Sequence, residues 1–153
     1  MSIQPQNRTH SASLSTLSRL FDGVCQLLAQ PAARASDVAR QLGTVVREPE
    51  GPLPIVVQPT DPRFREAIVV RRYGTELAEF AMLQSPASPG LSLHTLQAEL
   101  GEFTELPLVD AGREKELLFR RQQGDICYVV IAQILAKGTT QAQVRSLTIR
   151  LSS

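Results

Sequence analysis

The 153-residue chain holds no tryptophan and only two cysteines, two histidines and two tyrosines. Each shortage removes a class of function. Two cysteines cannot form a disulfide framework, and the distance along the chain from Cys25 to Cys127 matches no metal-ligand spacing. Both lie among apolar neighbours and read as buried thiols in a reducing compartment. His10 falls in a polar leader, and His94 in the first turn of a short helix has no serine or cysteine motif to serve. Charge of one sign is also missing. Sixteen Lys and Arg against fifteen Asp and Glu leave a net charge of +1, too little to steer the whole chain to nucleic acid or an anionic membrane. Few aromatics interleave the basic residues, which argues against base stacking. No apolar run approaches the length of a membrane-spanning helix, and Met1 to His10 lacks the apolar core of a signal peptide. The expectation is a cytoplasmic protein with a flexible leader over residues 1–12 and one domain over residues 13–153.

Catalytic groups are equally scarce. Gly43, Gly51 and Gly74 fall at unrelated turns and form no phosphate loop. Asp61, Glu66, Glu76, Glu79 and Asp110 show no paired-carboxylate spacing. The sequence therefore predicts no enzyme, no cofactor and no metal site.

What the chain does have is a pattern that occurs twice. Asp37 to Gly43 ends in Leu42-Gly43 with Pro49 beyond, and Thr95 to Gly101 ends in Leu100-Gly101 with Pro107 beyond. Each copy reads as a short helix stopped by glycine, then a proline-bounded loop, then strands. Two repeats are thus expected, near residues 35–84 and 91–151. Ahead of them, Leu14, Leu17, Leu20, Phe21, Val24, Leu27 and Leu28 recur at three and four, the stripe of a helix over residues 13–30 that Ser13 or Ser15 caps. Ser36 is the expected cap of the second helix and Ser92 of the third. Leu53 to Val57 reads as an edge strand, because Pro54 disfavours the sheet centre. Ala67 to Tyr73 and Glu76 to Leu83 form a hairpin about Gly74-Thr75. Breakers at residues 85–90 divide the chain. Lys115 to Gln122, Ile126 to Leu135 and Gln143 to Leu151 form a meander, with turns at Gly124 and Gly138. The predicted class is α+β, with N-terminal helices packed on an antiparallel sheet of about five or six strands.

A helix with a Leu-Gly exit toward proline, followed by an antiparallel meander, resembles the beta-lactamase inhibitory protein family. It is also similar to the small outer-membrane-assembly lipoproteins that share the helix-then-sheet module. Val38, Leu42, Gly43 and Pro49 carry the resemblance in the first copy. Leu96, Leu100, Gly101, Pro107 and the strands around Phe119, Tyr128 and Ile149 carry it in the second. Two features depart from the family: no export signal or lipobox cysteine is present, and Gln58 to Pro62 inserts before the first hairpin. The resemblance implies a protein-binding sheet surface without naming a target.

The leading expectation is a non-enzymatic protein-binding module, inhibitor- or immunity-like or a chaperone for a secreted protein. The alternative is a small-ligand binder or enzyme with a pocket between sheet and helices. The first helix's stripe reads as core, with a homodimer interface or client groove as the second use. Arg71-Arg72 and Arg120-Arg121 stand near strand ends, and alternation sends one member of each pair to either face. Carboxylates on the same strands are expected to ion-pair them. If Arg72, Arg121 and Tyr128 share a wet surface, they are the expected partner-binding anchors, with Lys137 as a rim residue of smaller effect.

Overall fold

The computed structural model describes residues 16–85, 91–107, 114–135 and 142–152. Ser13, Ser15, the leader, most of the breaker segment, Asp110 to Gly112, Lys137 and the turn at Gly138 lie outside them. Helix α1 (Thr16–Leu28) buries Leu17, Phe21, Val24, Cys25 and Leu28 on one stripe. That spacing is what drives it onto a sheet. Helix α2 (Ala35–Leu42) buries Ala35, Val38, Ala39 and Leu42. Its N-cap is Arg34, not the expected Ser36. The Asp37 carboxylate there accepts the Arg34 N–H at 3.4 Å and pairs with Arg40 at 2.8 Å. In helix α3 (Leu93–Leu100), Ser92 Oγ accepts the Thr95 N–H at 3.1 Å, as its position predicts.

One antiparallel sheet contains every strand of the described residues. In chain order these are β1 (Gly43–Arg47), β2 (Ile55–Pro59), β3 (Glu66–Arg71), β4 (Ala78–Gln84), β5 (Leu91–Ser92), β6 (Thr104–Glu105), β7 (Glu114–Gln123), β8 (Ile126–Leu135) and β9 (Gln143–Leu151). They lie side by side as β1-β2-β3-β4-β9-β8-β7-β6, with β5 paired to β9. The class is α+β, but with nine strands the molecule is dominated by its sheet, against the five or six expected. β1 escaped the sequence reading because it begins at Gly43, the residue that ends α2. β5 and β6 have two residues each, too short for any periodicity. β2 is not an edge strand, since β1 flanks it. Pro54 precedes it and Pro59 ends it, so the missing N–H groups fall at its ends rather than within its ladder.

The two halves match in hydrogen bonding. Each runs from a helix into four strands, and the last strands of the halves, β4 and β9, pair with each other at the centre. The N-caps Arg34 and Ser92 have φ/ψ of −83°/149° and −83°/150°. Ala35 N–H bonds Glu76 O at 2.8 Å, and Leu93 N–H bonds Ala142 O at 2.9 Å. Each central strand carries a bulge at the corresponding place: Glu79 is skipped between the pairs Arg71↔Ala78 and Val70↔Phe80, and Arg145 between Ile134↔Val144 and Gln133↔Ser146. In these registers an approximate two-fold axis passes through the pair Met82↔Thr148.

Alternate residues of the strands form a single core with the helices: Ile55 and Val57, Ala67 and Val69, Ala81 and Leu83, Leu147 and Ile149, Val130 and Ala132, Leu117 and Phe119. α2 covers β2 and β3, while α1 lies over β9, β4 and β8 and so bridges the two halves. Phe103, just past α3, stacks edge-on against Phe119 with ring centroids 5.5 Å apart. No helix among the described residues is long and apolar enough to cross a membrane.

Candidate protein-binding face

Strand alternation gives the sheet a second face, and its side chains belong to neither the core nor the residues packed against it. In register across the strands run Val56, Ile68, Met82, Thr148, Ile131 and Leu118, one from each of β2, β3, β4, β9, β8 and β7. All six are half-buried. This apolar row crosses the local two-fold axis at its midpoint. One step along the strands on the same face lies a polar row of Glu66, Gln84, Ser146, Gln133 and Glu116. Its centre is tied together by Ser146 Oγ donating to Gln133 Oε1 at 2.9 Å. One step the other way come Val70 and Phe80, then Arg150, Val129 and Arg120. Val129, on this face by alternation with Tyr128, is 7% exposed.

The face thus has an apolar stripe with the carboxylates of Glu66 and Glu116 on one flank, where Arg65 Nη2 also donates to Gln84 Oε1 at 3.2 Å, and the guanidinium groups of Arg120 and Arg150 on the other. Among the described residues no salt bridge reaches Glu66, Glu116, Arg120 or Arg150. The expected neutralising pairs form at Arg71–Glu76 and Arg72–Glu79, whereas on this face Glu116 and Arg120 stand four residues apart on one strand, on opposite sides of the stripe.

Elsewhere several charges are paired. Arg63, after β2, holds Asp61 in a two-point contact, Nη2 to Oδ2 at 2.7 Å and Nε to Oδ1 at 3.0 Å, and lies 3.6 Å from Glu99 of α3. Glu99 Oε1 also accepts the Leu17 N–H at the start of α1, at 3.2 Å. Burial raises both carboxyls, but for Asp61 the hydrogen bonds and charge of Arg63 win and hold it below the usual range. For Glu99 burial wins over Arg63 and the bonds from α1, and its carboxyl is pushed up. A hollow of about 680 Å³ opens beside this group, lined by Arg19, Leu20, Gln41, Leu42, Asp61 and Arg63 among others. A second, of about 610 Å³, lies at the end of the first hairpin, where Arg71, Arg72, Tyr73 and Gly51 meet. There the buried Arg71 binds Glu76 at 3.1 Å and the carbonyls of Leu53 and Gly51 at 2.7 and 3.2 Å. Tyr73 is 95% exposed beside it. Among the described residues no three His, Cys, Asp or Glu side chains gather as metal ligands.

The structure brings together two of the three anchors expected from the sequence. Arg121 and Tyr128 are cross-strand partners, and Arg121 Nε lies 3.4 Å from Tyr128 Oη. They face α1, however, not open water. Tyr128 is 1% exposed and donates to Asp22 Oδ1 at 2.6 Å, while Arg121 Nη2 reaches Ser18 Oγ at 3.5 Å. Arg72 is not brought to them: it lies past β3, several strands away, and pairs with Glu79 at 3.2 Å. Lys137 is outside the described residues. Cys25 is buried as expected, but Cys127 is exposed, because Tyr128 faces the helices and alternation turns its neighbour outward. The outer-face row was missed although a signal existed. Ile126 to Ile131 is apolar without interruption, the mark of a strand apolar on both sides.

Comparison of the chain with protein-family models, with curated proteins and with solved structures gave no match. Fold and face together describe an α+β protein whose helices cover one side of a broad antiparallel sheet and leave an apolar stripe on the other.

Proposed function

We propose that the protein is a non-enzymatic protein-binding module that docks its partner on the sheet face opposite the described helices. The observation that carries this reading is the in-register row Ile68, Met82, Thr148, Ile131 and Leu118, apolar but for Thr148 and outside the core, flanked by charges that no salt bridge reaches among the described residues. An inhibitor- or immunity-like role, or that of a chaperone for a secreted protein, fits such a face. The matched halves support taking the chain as two repeats of one module, in keeping with the family resemblance noted above. The exposed free thiol of Cys127 suits a reducing cytoplasm.

Affinity capture with the wild-type chain and with Ile131→Glu, followed by mass spectrometry, tests the reading. A stoichiometric protein retained by the first and lost by the second supports it. Equal retention by both rejects the face. The hollow lined by Asp61 and Arg63 favours a second reading, a small anionic or polar ligand held at Arg63. That reading expects a co-purified small molecule that Arg63→Ala releases and Ile131→Glu keeps.

A further inference from the structure

The geometry points to a second copy of this chain as the resting occupant of the open face, docked about a two-fold axis that lies along the apolar row. This rests on the reading of that face as a docking surface and names what fills it. A rotation by half a turn about the row Val56, Ile68, Met82, Thr148, Ile131 and Leu118 lays each apolar residue on the partner copy's row. The same rotation exchanges the flanks. Glu116 and Arg120 lie two positions either side of Leu118 on β7, so Glu116 of each copy meets Arg120 of the other. Ser146 and Arg150 stand in the same relation about Thr148 on β9. A two-fold axis along the strands would instead stack the carboxylate flanks on each other, which like-charge repulsion disfavours. Across this axis Glu116 and Arg120 of the two copies are matched and Arg150 meets the Ser146 hydroxyl, while Glu66 faces Val70; the axis along the strands instead keeps Glu66 and Glu116 on one flank.

The size of the contact fits a reversible pair. With strands spaced ~4.8 Å apart and same-face residues ~6.8 Å apart, the three rows over five strands bury about 500 Å² per copy and about 1,000 Å² in all. That is the lower limit of specific association, so the dimer is one that a better-fitting partner displaces. Aligned packing of twisted sheets, at about −30°, brings the central strands into closest contact.

Sedimentation velocity of the full chain over about 1–100 μM is the test. The expected result is a mass that rises from 16.8 kDa toward twice that value with concentration. Ile131→Glu should abolish the rise. Glu116→Arg alone, and Arg120→Glu alone, should each weaken association by about tenfold or more, and the double exchange Glu116→Arg/Arg120→Glu should restore it to within about threefold. Restoration excludes misfolding as the cause of the single losses. A chain that stays monomeric throughout, or a dimer indifferent to Ile131→Glu, or a double exchange without recovery, overturns the inference. A monomer that still loses a captured protein on Ile131→Glu overturns self-pairing alone and leaves the docking face standing. A dimer indifferent to that change, with captured partners equally indifferent, removes both.

Discussion

Tyr128 and Asp22 link strand β8 to helix α1 through one short hydrogen bond of 2.6 Å. Burial, then the bond to Asp22, raises the Tyr128 pKa far above the phenol's ordinary value, so the hydroxyl remains a donor at any working pH. Tyr128→Phe leaves the Asp22 carboxylate short of its partner and should cost about 1–2 kcal/mol, measurable by denaturant unfolding. Arg121→Ala, whose contacts are 3.4 and 3.5 Å long, should cost less. The two thiols should separate cleanly by labelling. Burial, with the Asp22 charge beside it, pushes Cys25 up to about 12, whereas Cys127 is exposed. One thiol per chain should react in the native protein at neutral pH and the second only on unfolding; two fast equivalents would contradict the packing of α1. At Asp61 the folded carboxyl titrates below its ordinary value. Its stabilising contribution is therefore full above that ordinary value and is lost as pH falls through the lower, folded one. Asp61→Asn should cost about 1 kcal/mol at pH 7, with the gap to wild type closing in the acid range. Glu99 has the opposite sign: its contribution is present below its ordinary value and is lost as pH rises through the raised, folded one, so Glu99→Gln should remove that fall, whereas Asp61→Asn removes the loss at lower pH.

Gly43 and Gly101 end helices α2 and α3 at matching positions, yet each must be glycine for a different physical reason. Gly43 has extended backbone, but a Cβ there would lie 2.1 Å from the Gln58 carbonyl oxygen and 2.9 Å from Pro59 Cα, both backbone atoms of β2. Gly101 has open space around it and φ of +85°, which side chains rarely adopt. Gly43→Ala should force β1 off β2 and cost about 3 kcal/mol or more, against about 1–2 for Gly101→Ala; equal thermal shifts would contradict this. The sequence made both helix ends legible, since the stop signal is the same. It could not show that a strand starts at Gly43, because close approach of a distant segment leaves no local mark. α1, the β3–β4 hairpin and the meander β7 to β9 were legible for the same reason as the helix ends: their hydrophobic periods are local. The placing of Arg121 and Tyr128 was not, because alternation says that neighbours face opposite ways but not which way the helices lie. The outer-face row needed the registers of six strands, which only the folded sheet supplies.

The two halves meet at β4 and β9, where Leu83 pairs with Leu147 and Ala81 with Ile149 beneath α1. With α1 spanning the junction, unfolding of either half uncovers apolar surface of the other. Amides of β3 and β8 should therefore exchange with the same opening free energy, and Leu147→Ala should lower both together by about 2–4 kcal/mol. A β3 that keeps its protection in that variant would show the halves to be independent. The strand that completes the middle of the sheet is the last of the nine in chain order. During synthesis β4 leaves the ribosome while the whole second half is still to be made, so for roughly 3–13 s at roughly 5–20 residues per second its free edge has no β9 to cover it. The nascent chain passes through a stage in which only Val56, Ile68 and Met82 of the six-residue outer row are in place and one ladder is open to any passing extended segment. Slowing the ribosome across residues 86–142 should lower the soluble yield, and a chaperone acting on this protein would have that short window in which to do so.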